Sequence, residues 1–204
     1  MLIDLHCHTS TYSACSSLSP ETLFEAAQRA GLDAVCLTEH DRLWPSEELA
    51  EIAAVFDIVV LRGMEVTTEL GHVLVYGLDA LPSGSFLSAS LIAAVRQAGA
   101  FAVLAHPARS GQIPVAAHQA AALFDTVEVL NGSDGPDQNR SAEALAQITR
   151  RPGIAGSDCH SVAEVGTVAT VLPRPVATER DLVEVLRMGQ HSVLRLPSVP
   201  SFER

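Results

Sequence analysis

The sequence predicts an α/β domain whose mostly parallel sheet is covered by helices and tends toward barrel-like closure. Three observations carry that prediction. Short runs rich in Val, Ile and Leu recur along the chain, capped helical stretches lie between most of them, and about seven such repeats fit into 204 residues. Strands that alternate with helices are joined by crossovers, which makes neighbouring strands parallel. That many repeats in one small domain favour closure over an open sheet.

The strand-like runs are LIDL at 2–5, AVCLT at 34–38, IVVLR at 58–62, FAVLA at 101–105, TVEVL at 126–130, GIAG at 153–156 and SVLRL at 192–196. HVLVYGL at 72–78 and VGTVATVL at 165–172 break the alternation and read as extra strands. Among the helical stretches, Ser19 to Gly31 has a Ser N-cap, Pro at the first helical position, Glu in the first turn and a closing Gly. Ser88 to Gly99 repeats that logic, and SAEALAQITRRPG and TERDLVEVLRMG are similar. The closing segment LPSVPSFER reads as a short irregular tail.

The length suits one domain over 1–204. A net charge of -11 without any basic cluster argues against a surface built for a polyanion. Bound divalent cations would reverse the field locally in a pocket. The four cysteines include no C-x-x-C pair, and a chain this rich in Ala, Leu and Val needs no disulfide staples, so a reducing cytoplasm is expected. Asp4 and His6 stand where a signal peptide would be basic and then apolar, and no segment approaches the length of a membrane span.

GIAGSDCHS at 153–161 and LIDLHCHTS at 2–10 share one arrangement, a ligand-type pair separated by a cysteine. In extended chain the side-chain period is two, so His6 and His8 share one face, as do Asp158 and His160, while Cys7 and Cys159 face the covering helices. Binding residues of parallel α/β sheets gather where the strands end. His6 and His8, Glu39 with His40 and Asp41, Glu65, His106, Glu128 with Asn131, and Asp158 with His160 all follow successive runs, and His72 opens an extra strand. Imidazole and carboxylate suit borderline and hard divalent cations. Six histidines with several carboxylates are too many for one tetrahedral ion and point to two or three metals, an arrangement suited to in-line displacement at phosphorus. Glu39, Asp41 and Glu128 read alternatively as helix-cap acids or as partners that orient ligands, Asp4 as such an orienting partner, and Asn131 as a turn former. His118 and His191 read as structural.

DLHCHTSTYS, LTEHD, GMEV, HVLVYG, LAHP, EVLNG and GSDCH, in that order within residues 3–161, resemble the PHP (polymerase and histidinol phosphatase) domain, a superfamily of metal-dependent phosphoesterases. The resemblance implies a distorted, TIM-like seven-stranded (β/α) barrel and two or three divalent ions, Zn, Mn or Fe. It places one ion on His6, His8, Glu65 and Asp158, a second on Glu65, His72 and His106 with Glu65 bridging, and a third on His40 and His160. Many members add an Asp or His to the third site just after the first motif. Here the segment reads STYSACSSLSP and Glu39 stands where Asp is common, so the third ion is expected to be weak, completed by water or absent, and Cys15 is either a thiolate ligand or, with Ser13, a structural turn residue.

The implied function is hydrolysis of small phosphomonoesters or phosphodiesters, such as nucleotides or sugar and amino-alcohol phosphates, by a metal-activated hydroxide. His160 or Asp41 would manage the leaving-group proton, and Arg109 would contact phosphate. The expected partner is a small phosphorylated substrate, with nucleic acid only as a nucleotide or short oligonucleotide, and no membrane. Two other readings are a nuclease and a metal-binding module without catalysis.

Overall fold

LIDLHC forms the first strand, β1 (Leu2–Cys7), in which every side chain after Leu2 is buried. A strand without polar alternation belongs in a sheet covered on both faces. β2 (Ala34–His40) is likewise buried up to its last residue, the half-buried His40, and β3 (Val59–Thr68) turns through Glu69 and Leu70 into β4 (Gly71–Tyr76). The remaining strands are β5 (Phe101–Leu104), β6 (Thr126–Asn131), β7 (Ile154–Gly156), β8 (Val168–Val171) and β9 (Ser192–Arg195). The computed structural model describes residues 1–197, so all of the C-terminal tail beyond Pro197 lies outside the described residues.

The nine strands of the described residues form one sheet in the order β7-β6-β5-β4-β3-β2-β1-β8-β9. β1, β2 and β3 run parallel, as do β5, β6 and β7, and β4 is antiparallel to both of its neighbours. The sheet curls until β7, at one end of this order, comes against β1 and β8. The Asp158 N–H donates to the His6 carbonyl at 2.7 Å, and Cys7 and Cys159 form a parallel bridge. Lower down, the Thr170 hydroxyl of β8 bonds both the N–H and the carbonyl of Ala155 in β7, at 2.8 and 3.0 Å. The result is a distorted α/β barrel.

The implied strand count of seven is corrected to nine. Both segments that break the alternation are strands, and SVLRL is not a barrel stave. As β9 it pairs antiparallel with β8 at the sheet's outer edge, with no buried residue.

Among the helices, α1 (Pro20–Arg29) and α6 (Glu179–Met188) start on Ser19 and Thr178, whose hydroxyls accept from Thr22 and Asp181 N–H. Two expected starts move. α3 (Ser88–Ala98) begins on Leu87, which makes no side-chain cap; Glu69 reaches across to accept from the Ser88 N–H at 2.7 Å and takes over that task. α5 (Pro136–Ala146) begins five residues before Ser141, because Pro136 presets the first turn and the Gln138 side chain accepts from the Gly135 N–H at 2.6 Å. α2 (Ser46–Ala53) and α4 (Val115–Ala120) complete the set.

Inside the barrel, Ile3, Leu5, Leu61, Tyr76 and Phe101 pack with Leu182, Val185 and Leu186 of α6, which closes the end opposite the parallel strands' C-termini. Outside it, α1 and α2 cover β1 and β2, while α3, α4 and α5 cover β4 to β6. No helix of the described residues is long and apolar enough to cross a membrane.

Candidate metal centre

β1 carries the first device of the site. Ile3 and Asp4 pair with Ala34 and Val35, but Cys7 pairs with Leu37, so β1 holds one extra residue. This bulge lets Leu5 face the inner core while the very next side chain, His6, also turns inward. Asp4 braces it, its Oδ1 accepting from the N–H groups of His6 at 3.2 Å and Ser157 at 2.8 Å. Past the bulge the period of two returns: His8 follows His6 into the site and Cys7 packs among Leu23 and Phe24 of α1. Gly156 makes room, since a Cβ there would collide with the His6 Cβ.

Buried acceptors set the tautomers of both rings. His6 Nδ1 donates to Glu128 Oε1 at 2.9 Å. His8 Nδ1 lies 3.3 Å from Ser13 Oγ, which itself donates to Glu39. Each ring therefore directs the lone pair of Nε2 inward, the arrangement that metal-binding imidazoles require.

These two nitrogens meet Glu65 and Asp158. His6 Nε2 lies 3.1 Å from His8 Nε2, 3.4 Å from Glu65 Oε2 and 3.5 Å from Asp158 Oδ1. His8 Nε2 lies 3.1 Å from Glu65 Oε2 and 3.3 Å from Asp158 Oδ1. Metal–ligand bonds of about 2.0–2.1 Å in a tetrahedron put neighbouring donors roughly 3.3–3.4 Å apart, so these five distances fit one ion. Glu65 Oε2 is buried and has no hydrogen-bond partner, although three imidazoles crowd it, which is what a ligand atom looks like without its cation.

The second oxygen of Glu65 faces another pair. Oε1 lies 2.7 Å from His72 Nδ1 and 2.9 Å from His106 Nε2. His40 Nδ1 stands 3.0 Å from Oε2, so His40 joins Glu65 and His72 as well as lying beside His8 and His160. The structure thus brings together His6, His8, His40, Glu65, His72, His106, Asp158 and His160, with Glu65 between two sets of donors.

The other sequence candidates have these places. Arg109 grips Asp158 Oδ2 at 2.6 Å, Asp134 Oδ1 at 2.9 Å and Asn131 Oδ1 at 2.9 Å. Asp41 has both oxygens engaged, accepting from Thr67 N–H and Oγ at 2.8 and 3.0 Å. Asn131 forms its expected turn through the Ser133 N–H, and its Nδ2 also donates to Glu128 and Asp158. Glu39 accepts from Trp44 Nε1 at 2.9 Å and from the Thr9 hydroxyl, anchoring the loop after β1. His118 is exposed on α4, and His191 sits at the far end of the barrel on Pro152 O. Asp134 went unnoticed in the sequence: an acid in a GSDGP turn carries no signal until tertiary structure brings Arg109 to it.

The field is cation-seeking. Burial opposes ionisation of Glu65 and Asp158, but the His6 charge and the bonds to neighbouring imidazoles outweigh it, and both carboxyls stay far below their usual range. Burial likewise opposes charge on His6 and His8, yet Asp158, Glu65 and, for His6, Glu128 raise both above the ordinary imidazole value. Three of the four non-glycine residues with positive φ, Asp41, His106 and Asp158, lie at strand ends in this mouth. Strained backbone gathered at one site is a mark of function.

A family model described as the PHP domain matches residues 4–126, more than half of the chain. The chain belongs to the PHP family. A second model, described as PHP-associated, matches residues 136–191. Among solved structures, PsfC from Pseudomonas syringae superposes with a TM-score of 0.72 at 22% identity, covering 95% of this chain and 91% of that one. A protein provisionally named a metal-dependent phosphoesterase, from Bifidobacterium adolescentis, gives 0.64 at 20% identity, with 92% and 96% covered. An amidohydrolase from Chromobacterium violaceum gives 0.64 at 20% identity, with 95% and 97% covered. At these identities the likeness concerns the PHP fold. Error-prone DNA polymerases of Mycobacterium bovis and Mycobacterium tuberculosis match at 38% identity over 64 residues, 31% of this chain and only 6% of theirs.

Proposed function

We propose that this PHP domain is a metal-dependent hydrolase of small phosphate esters. One observation carries the reading: Glu65, buried and unpaired at Oε2, stands between two groups of imidazoles whose spacing suits bound cations. His6, His8, Glu65 and Asp158 would hold one ion, and Glu65 with His72 and His106 a second. Such ions supply an activated water nucleophile and neutralise charge on phosphate oxygens.

The chain's own groups do the rest. Glu128 and Ser13 keep His6 and His8 in the ligating tautomer. Arg109 fixes Asp158 with one of its five guanidinium N–H donors and engages Asp134 and Asn131 with two others, which leaves two for a phosphate oxygen. His160, partly exposed at the mouth, is our candidate to pass a proton to the leaving oxygen in a two-ion centre, where its Nε2 holds no metal; in a three-ion centre that nitrogen is a ligand and the proton comes from solvent. The four cysteines are free, in keeping with a reducing compartment, which we propose as its location.

The test is element-resolved metal analysis with turnover of an aryl phosphate and a panel of nucleotides and sugar phosphates. Two or more ions per chain and chelator-sensitive, metal-restorable turnover are expected. Tight metal with no turnover on any substrate would favour the module without catalysis. The short match to DNA polymerases keeps a nuclease as the second reading, and cleavage of oligonucleotides that strengthens with length would select it.

A further inference from the structure

We infer that Cys15 is a metal ligand, forming with His160 and His40 a sulfur-bearing corner of the centre; the assignment rests on the metal-centre reading above. His160 Nδ1 donates to the Asp158 carbonyl at 2.9 Å, so the Nε2 lone pair points the other way, and 3.2 Å along it lies Cys15 Sγ. Nitrogens of His8, His40 and His160 lie within 4.8 Å of one another, and the orphaned Glu65 Oε2 is aimed at His40 from the buried side.

The loop holds the sulfur there. Ser16 Oγ donates to His8 O at 3.0 Å, and both the N–H and the hydroxyl of Ser17 donate to His160 O at 2.9 Å. Residues on the C-terminal side of Cys15 are thereby tied to the backbone of two ligand residues, His8 and His160. On its other side Ser13 is engaged with Glu39, His8 and the His40 N–H, so it has no free capacity to ligate. Cys7, Cys36 and Cys159 are buried, whereas Cys15 is exposed at the mouth. On ion binding the S–H bond breaks, the proton passes to solvent and a sulfur–metal bond forms. A thiolate donor shifts preference toward Zn²⁺, Co²⁺ or Fe²⁺ and away from Mg²⁺ or Mn²⁺.

The test is a titration of chelator-stripped protein with Co²⁺, free of oxygen, read by absorbance and by bound-metal analysis. The wild type should develop a near-ultraviolet thiolate-to-cobalt band. Cys15→Ser should lose that band and one ion, while Cys15→Asp should recover the ion without the band. Iodoacetamide should label Cys15 in stripped protein and be blocked once zinc is bound. Cobalt bound in full with no thiolate band, or an unchanged band in Cys15→Ser, overturns the assignment and leaves the rest of the centre standing. Folded protein that binds no cobalt overturns the centre and this ligand with it.

Discussion

At the mouth of the barrel six histidines converge on Glu65 and Asp158, while at the opposite end His191 lies buried against Pro152 O with its Nδ1 unpartnered. Carboxylates facing His6, His8 and His72 hold these imidazoles above their ordinary pKa, and for His6 and His8 they do so against burial. No carboxylate raises His191, and burial, joined by the Arg151 charge, pushes it down. The difference teaches that burial does not decide what a histidine is for. An uncompensated buried imidazole stays neutral and structural, whereas one set among buried acids marks a place that wants a cation.

That contrast breaks most visibly at Glu65. Glu65→Gln removes the shared carboxylate, and the expected outcome is loss of at least one ion per chain by metal analysis and fall of turnover to background, with the fold retained by circular dichroism. At the far end the expectation reverses. Leu186→Ala cuts a fully buried side chain of α6 and should cost about 2–5 kcal/mol in chemical denaturation, yet leave metal stoichiometry per folded chain unchanged. If Leu186→Ala also emptied the centre, the two ends would not be separable.

Smaller effects sharpen the same picture. Glu128→Gln keeps the shape but weakens the acceptor that orients His6, and should lower metal affinity by about 10- to 100-fold in a competition titration. Because His6, His8 and His72 bind protons above the ordinary imidazole range, ions must displace those protons, so calorimetry in buffers of different ionisation enthalpy should show proton release and affinity that falls as pH falls.

The smallest effect belongs to His191. Its folded pKa is depressed, so the unfolded chain takes up the proton first and stability is lost as pH drops through the unfolded value of about 6.5. His191→Gln should flatten that acid-side loss. For His6 in metal-free protein the sign is opposite: its contribution is complete below the unfolded value and disappears as pH rises through the raised folded one.

Much of the fold could be read from short-range patterns. The Ser19 and Thr178 caps and the glycines at Gly99 and Gly189, both in left-handed C-cap conformation, mark three helices. All nine strands appear as apolar runs, although nothing in SVLRL distinguishes an edge strand from a barrel stave. The Ser88 cap misleads because Glu69, nineteen residues earlier, takes its place. GIAGSDCHS is extended only through Gly156; Asp158 then adopts a positive φ of 55°, so Asp158 and His160 share the site through a turn and not through strand alternation.

The sequence by itself determined which residues could bind metal, because ligand chemistry is a property of side chains and strand ends are recognisable from neighbouring residues. Tertiary structure alone decided how they combine: that Glu128 orients His6 across 122 residues, that Arg109 is occupied by Asp158 and Asp134, that Asp41 braces Thr67, and that Cys15 reaches His160 across 145. Local pattern carries the period of a strand, but a one-residue bulge in β1, the order of nine strands and the angle at which the sheet closes set the distances between their ends, and those distances decide what the site can hold.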